Sequence, residues 1–307
     1  MVMLKRLQCR FQALSILFVA LLFVVPAAAD LKYVLVSSDV VMQRLKDAPI
    51  KNSDRVTELE KMFRDAGCQP TEEPVKHLHQ PNVLCLLPGS TTSMIVVGAH
   101  LDHVEAGTGV IDDWSGASLL PSLYQGLASQ PRTHTFLFIG FAGEEEGTIG
   151  SEFYAKHLAP EDRKRIAAMV NLECLGVGPT AVWTSHSEPV LVRMLVAIAQ
   201  SMKLPLTGVN MDRTETPQPL RFRQRPYVRN LQPVTTDSES FAEIGLPRIT
   251  IHSLSQNTWT LLHTKNDNIN AIKPDLYYDS YRMIAPYLVL LDQQLPTDGS
   301  SIDKKSK

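Results

Sequence analysis

Two histidines and a scatter of acidic residues in this chain have the types and spacing of metal chemistry. His100 precedes Asp102 in "GAHLDH", and an aspartate pair, Asp112-Asp113, stands in "IDDWSGAS". Three consecutive glutamates, Glu144, Glu145 and Glu146, follow the apolar run "FLFIGFAG". Glu173 closes "VNLE", and His263 lies in "LLHTKND". Adjacent carboxylates repel, and glutamate is rarely buried unless it is paired or bound to metal. Burying that much like charge in one place calls for a cation. The donors suffice for two ions. His100 and His263 supply nitrogens, Glu145 and Glu173 supply terminal carboxylates, and Asp112 has a second oxygen with which to bridge. Each ion would then keep an open position, the mark of a catalytic rather than a structural site. Asp102 would orient the His100 imidazole. If the glutamates continue as extended chain, neighbours point opposite ways, so one can ligate while the next acts as general base. Spacing does not say which of the three does which.

Each piece alone is ordinary. Paired aspartates before a helix normally make a cap and a first-turn charge, and three glutamates normally start a solvated helix. Their weight comes from the elements that must position them. Apolar runs at 94–99, 135–142, 167–172 and 248–251 are short and continuous, as in strands buried on both faces. A further strand, Asn82–Leu87, ends at Pro88-Gly89. Helical stretches are expected at 52–66, 115–128, 151–158, 188–202, 239–244 and 274–291, the first carrying Val56, Leu59, Met62 and Phe63 on one face. The alternation predicts an α/β fold: a single three-layer domain with a mostly parallel central sheet and helices on both faces. Ligands in such sheets collect beyond the carboxyl ends of the strands. His100, the glutamate run and Glu173 each follow one.

The ends of the chain are expected to stand apart. Lys5, Arg6 and Arg10, an apolar run at 13–25 and Ala27-Ala28-Ala29 have the layout of a signal peptide covering residues 1–29. The apolar run is shorter than the roughly 20 residues of a membrane span, so no stable span is expected after cleavage. Residues 30–297 would form the domain, and 298–307 a polar, disordered tail. Removing the leader takes three basic and no acidic residues, so the net charge falls from −2 to −5. That balance offers nothing to nucleic acid. Export leaves Cys68, Cys85 and Cys174. Cys68 with Cys85 is the plausible disulfide, unpaired core cysteines being the alternative, and Cys174 stays free.

In combination these motifs resemble the co-catalytic di-zinc aminopeptidases of metallopeptidase family twenty-eight, over roughly residues 55–291. "GAHLDH", "IDDWSGAS", "GEEEGTIGS", "NLECLG" and "LHTKND" fall in the family's order, and "TTDSESFAEIGLP" resembles its stretch before the last core strand. The resemblance implies two zinc ions, one held by His100 and Glu173, the other by Glu145 and His263, with Asp112 between them. Cobalt or manganese would suit the same donors. It implies Glu144 as general base, Asp102 as the orienting carboxylate, and Glu146 at a variable position. The implied substrates are peptides or small proteins with a free N-terminus, hydrolysed at the first peptide bond by an exported enzyme, periplasmic or secreted.

Trp114 departs from the pattern, where a small or polar residue is usual; it either reshapes the site mouth or packs at the helix start. Arg221, Arg223, Arg225 and Arg229 are read as a solvated loop or a carboxylate clamp, and His77 and His79 as an exposed alternation. His103, His134, His157, His186 and His252 receive no role. Two rivals remain on the same fold: a glutaminyl cyclase-type transferase and a non-catalytic peptide-binding homologue. Deacylase relatives with a lid domain fit poorly, because only 90 residues separate Glu173 from His263.

Overall fold

The computed structural model describes residues 31–210, 218–219 and 235–297. The proposed leader, the arginine-rich segment and the polar tail lie outside the described residues. In chain order the strands are β1 (Thr71–Glu73), β2 (Asn82–Leu87), β3 (Met94–His100), β4 (Thr135–Phe141), β5 (Ile166–Glu173), β6 (Ala181–Trp183), β7 (Thr207–Val209), β8 (Gln218–Pro219) and β9 (Arg248–His252). They make one sheet in the order β1-β2-β4-β3-β5-β9-β6-β7-β8. Its centre, β4-β3-β5-β9, is parallel. β1 and β2 extend one side antiparallel, and β6 joins β9 antiparallel on the other. The sheet is therefore mixed, with the parallel part where crossover helices require it.

Alternating residues of each central strand serve opposite faces. Ile95, Val97 and Ala99 enter one core with Phe136 and Phe138, whereas Val96 enters a second core with Leu137, Ile139 and Phe141. The larger core is covered by α1 (Ser38–Lys46), α2 (Asn52–Asp65), α4 (Leu120–Ala128), α7 (Pro189–Met202) and α10 (Pro274–Gln294), with the one-turn α3 (Ser115–Ala117) opening the crossover after β3. The opposite face carries α5 (Ile149–His157) and α8 (Asp237–Glu243); α6 (Pro160–Arg165), with no buried residue, leads into β5, and the one-turn α9 (Gln256–Trp259) precedes His263. There Phe141, Tyr154 and Phe241 meet with ring centroids 6.0–6.5 Å apart, the separation at which edge-on aromatic packing is favourable.

The helix expected at 115–128 is two pieces. Pro121 lacks an N–H to continue a ladder but suits the start of a helix, and the chain restarts as α4 there. Cys68 and Cys85 form a disulfide that ties the end of α2 to β2, while Cys174 is free and buried. Among the described residues no helix is long and apolar enough to cross a membrane.

Candidate metal centre and active site

All of the site residues named above stand at the carboxyl ends of the parallel strands or on the loops that follow. His100 is the last residue of β3, fully buried. Its Nδ1 lies 3.1 Å from the Asp102 carbonyl oxygen and 3.7 Å from the Asp102 carboxylate. The carbonyl therefore sets the ring, fixing the proton on Nδ1 and leaving Nε2 as a donor atom for a cation. Nε2 faces Asp112 Oδ1 at 3.1 Å and Glu173 Oε1 at 3.5 Å, with Glu144 at 4.0 Å. On the other side His263 Nε2 lies 3.2 Å from Asp112 Oδ2 and 2.9 Å from Glu145 Oε2. Asp112 thus turns one oxygen to each histidine. Two three-residue donor sets result, His100–Asp112–Glu173 and Asp112–Glu145–His263, each with ligand atoms within 4.8 Å of one another.

The segment that delivers Asp112 is irregular. Asp112 and Asp113 have non-helical backbone angles inside the turn Val110–Trp114, and the peptide between them is cis. Asp113 points away from the donor sets and fastens the loop. Its Oδ1 accepts the N–H groups of Gly116 and Cys174 at 2.9 Å each. Ser115 adds a second tie, accepting Leu175 N–H at 2.7 Å and donating to the Ile111 carbonyl at 2.8 Å. Asp267 accepts the Ile111 N–H at 2.7 Å, so "HTKND" braces the loop that "IDD" ends.

The glutamates do not continue as extended chain. Gly143, with φ +69°, ends the strand, and Glu144 O accepts the N–H groups of Gly147 and Thr148 to close a turn. The side chains diverge through that turn rather than through strand alternation, and Glu146 is exposed. The Asp102 carboxylate holds the turn in place, accepting Glu144 N–H at 3.1 Å and Glu145 N–H at 3.2 Å. Orienting the glutamate turn is thus as much its role as facing His100.

Charge is crowded here. Burial, then the neighbouring Asp112 charge, pushes Glu145 up to about 7. Burial also raises Glu144, together with the charge of Glu173. Burial would raise Asp112 too, but the adjacent His100 and His263 imidazoles outweigh it and hold that carboxyl well below its ordinary range. One buried oxygen, Glu145 Oε1, has no partner among the described residues. Two imidazole nitrogens, three carboxylates and an unmatched buried oxygen suit a pair of divalent cations of the zinc type. A cavity of about 390 Å³ opens over the cluster, with Trp183, Trp259 and Leu262 as apolar walls beside Asp112, Glu144, Glu145 and Glu173.

The sequence profile of peptidase family M28 matches residues 82–288, the span that carries every residue of this cluster. The chain belongs to peptidase family M28. An aminopeptidase of Pseudomonas aeruginosa is 35% identical over 88 residues, 29% of this chain and 16% of that protein. The chain thus spans about a sixth of that relative's length. Among solved structures, the LapA aminopeptidase of Legionella pneumophila superposes with a TM-score of 0.68 at 17% identity, covering 88% of this chain and 74% of that one. A glutaminyl cyclase of Porphyromonas gingivalis superposes with a TM-score of 0.62 at 16% identity, covering 82% of this chain and 97% of that one. At such identities the superpositions establish the shared M28-type fold.

Of the residues left open above, Trp114 is buried in the core. Its indole N–H donates to the Arg44 carbonyl at 3.2 Å, and the Arg55 guanidinium lies 5.4 Å from its ring centre. His77 and His79 sit exposed in a turn after β1, not on a strand, and join neither donor set. His252 lines the cavity: its Nδ1 accepts the Leu254 N–H at 3.0 Å, and burial pulls it down to about 3, so it is neutral. Asp237, buried with both oxygens unpartnered among the described residues, was given no role by sequence. Its position in "TTDSES", quoted for the resemblance, was the available signal.

Proposed function

We propose that the chain is an exported metallo-exopeptidase that removes N-terminal residues from peptides or small proteins, using two zinc ions. The observation that carries this reading is the division of Asp112 between His100 and His263, which yields two donor sets around one carboxylate. His100 and Glu173 would hold one ion, Glu145 and His263 the other, with Asp112 shared. When bound, the ions supply Lewis acidity to the scissile carbonyl and make water a better nucleophile. Glu144, raised by burial and placed on the cavity wall, takes the proton from the attacking water and returns it to the leaving amine. Asp102 fixes the turn that presents it. Trp183, Trp259 and Leu262 offer the apolar wall against which a substrate side chain would rest.

Export is supported by the leader-like residues 1–29 and by the disulfide, which suits an oxidising compartment. The catalytic domain would comprise residues 30–297, followed by the polar tail.

A second reading, a glutaminyl cyclase-type transferase, is favoured by the near-complete coverage of the Porphyromonas chain. One experiment separates the two. The mature protein, loaded with zinc, is incubated beside Glu144→Ala with a peptide pool that includes N-terminal glutamine, and products are followed by mass spectrometry. Stepwise loss of N-terminal residues, absent in Glu144→Ala and abolished by a chelator, is expected. Loss of ammonia from glutamine peptides alone would replace the exopeptidase with the cyclase. Neither product, with zinc bound, would leave a binding protein.

A further inference from the structure

Arg55 is a fully buried cation on α2, and it faces no carboxylate at ion-pair distance among the described residues. Its fork is spent on backbone carbonyls instead. Nε donates to Pro49 O at 3.0 Å, one terminal nitrogen to Leu101 O at 3.0 Å and Asp102 O at 3.5 Å, and the other to Thr108 O at 2.7 Å and Gly109 O at 2.9 Å. Those four loop carbonyls belong to the segment between His100 and Asp112. The clamp therefore grips both ends of the loop joining two of the donors. The Asp102 carbonyl it reaches is the same one that sets the His100 ring. The guanidinium also stacks on Trp114, two residues beyond Asp112, whose indole is tied to α1 through the Arg44 carbonyl.

Burial lowers the Arg55 guanidinium, and the carboxylate charges of Asp102 and Asp267 ease this without touching it, so keeping it there is costly. A side chain needed only to fill space there could be apolar. Five planar donors in a fixed fork can satisfy several buried loop carbonyls at once, and a lysine cannot reproduce them. From this geometry we infer that Arg55 is a positioning residue for the metal centre, holding the His100–Asp112 loop so that both donors face one cation before it arrives. The inference rests on the metal-centre reading above and adds α2, outside the span of the M28 match, to the machinery.

The test compares Arg55→Lys and Arg55→Met with Arg44→Met. Arg44 is a second buried arginine, which donates to Ser122 and Gln125 side chains away from the donor sets. In metal-free protein, hydrogen exchange over residues 101–112 is expected to quicken at least about tenfold in Arg55→Lys, with α2 itself still protected. Zinc affinity, from competition with a chromophoric chelator, is expected to fall about 10–100-fold, as for other groups that orient ligands. Arg44→Met should lose stability with neither change. At saturating zinc the Arg55 variants should show a lowered kcat with KM nearly fixed. Should both Arg55 variants fail to fold, Trp114→Phe is read in the same two assays, and faster loop exchange with weaker zinc binding is expected there too. Loop exchange and zinc affinity unchanged from wild type would overturn the inference. If wild type binds no zinc but Arg55→Lys still loosens the loop, the metal-centre reading fails and the clamp stands.

Discussion

At the scale of single residues, Asp112 matters most because it has no substitute. Either histidine serves one donor set, whereas the aspartate serves both through separate oxygens. Asp112→Asn keeps the shape but removes the charge and one acceptor oxygen, so both ions should be lost together. His263→Ala, at a half-exposed position on the rim, should leave the His100 set able to retain one. Metal content per chain, measured by atomic emission after dialysis, is expected near zero for the first variant and near one for the second. Two ions retained in Asp112→Asn would break the proposed sharing. His100, Glu145 and Glu173 were legible as metal-binding types placed just beyond apolar runs, whereas Asp112 and His263 were legible through the motifs "IDDWSGAS" and "LHTKND". Asp102, Asp113 and Asp267 were only partly so. Their work is to accept backbone N–H groups of residues far along the chain, and such pairings follow from tertiary packing rather than local pattern.

At the scale of elements, the central strands were readable because continuous apolar runs leave a buried strand little alternative. β1, β6 and β7 were not, being three residues each and defined by pairing with neighbours. α1 carried a usable signal in Val41, Met42 and Leu45 with Asp39 early and Lys46 late, yet its length is short for periodicity alone. The crossover after β3 misled because Pro121 inside an apolar stretch marked a restart, not an interruption of one helix. The junction of α8 with β9 offers a pH test. Glu239 accepts from Arg248 at 3.2 Å and meets His186 at 2.6 Å. Burial would raise this carboxyl, but the His186 hydrogen bond and the Arg248 charge prevail and hold it below its usual 4.5. A carboxyl lowered by folding stabilises the fold above its unfolded value and loses that effect as pH falls through the folded one. Glu239→Gln should therefore be less stable than wild type at pH 7, by about 1 kcal/mol or less given the solvent screening of this partly exposed group. The gap should close below pH 4.5, as read from denaturant midpoints across the range. A gap that persisted at pH 3 would point to packing rather than charge.

At the scale of the whole molecule, the fold is stapled near its start and closed near its end. The Cys68–Cys85 bridge spans 17 residues, and a loop of that size restricts the unfolded chain by about 3 kcal/mol. Replacing both cysteines by serine is expected to cost about that much in equilibrium unfolding while leaving zinc binding intact, since neither cysteine belongs to the donor sets. At the other end, the Asp267 carboxylate reaches back 156 residues to the Ile111 amide, and His263 completes the second donor set from the same late stretch. Contacts between such distant positions are slow to form, because a long loop must close before they return anything. A polypeptide still being synthesised can lay down β3, β4 and β5 and yet own no complete centre. The second donor set therefore closes only once the stretch carrying His263 and Asp267 has joined β3 and the loop after it, so assembly of the centre reports that the late stretch is in place.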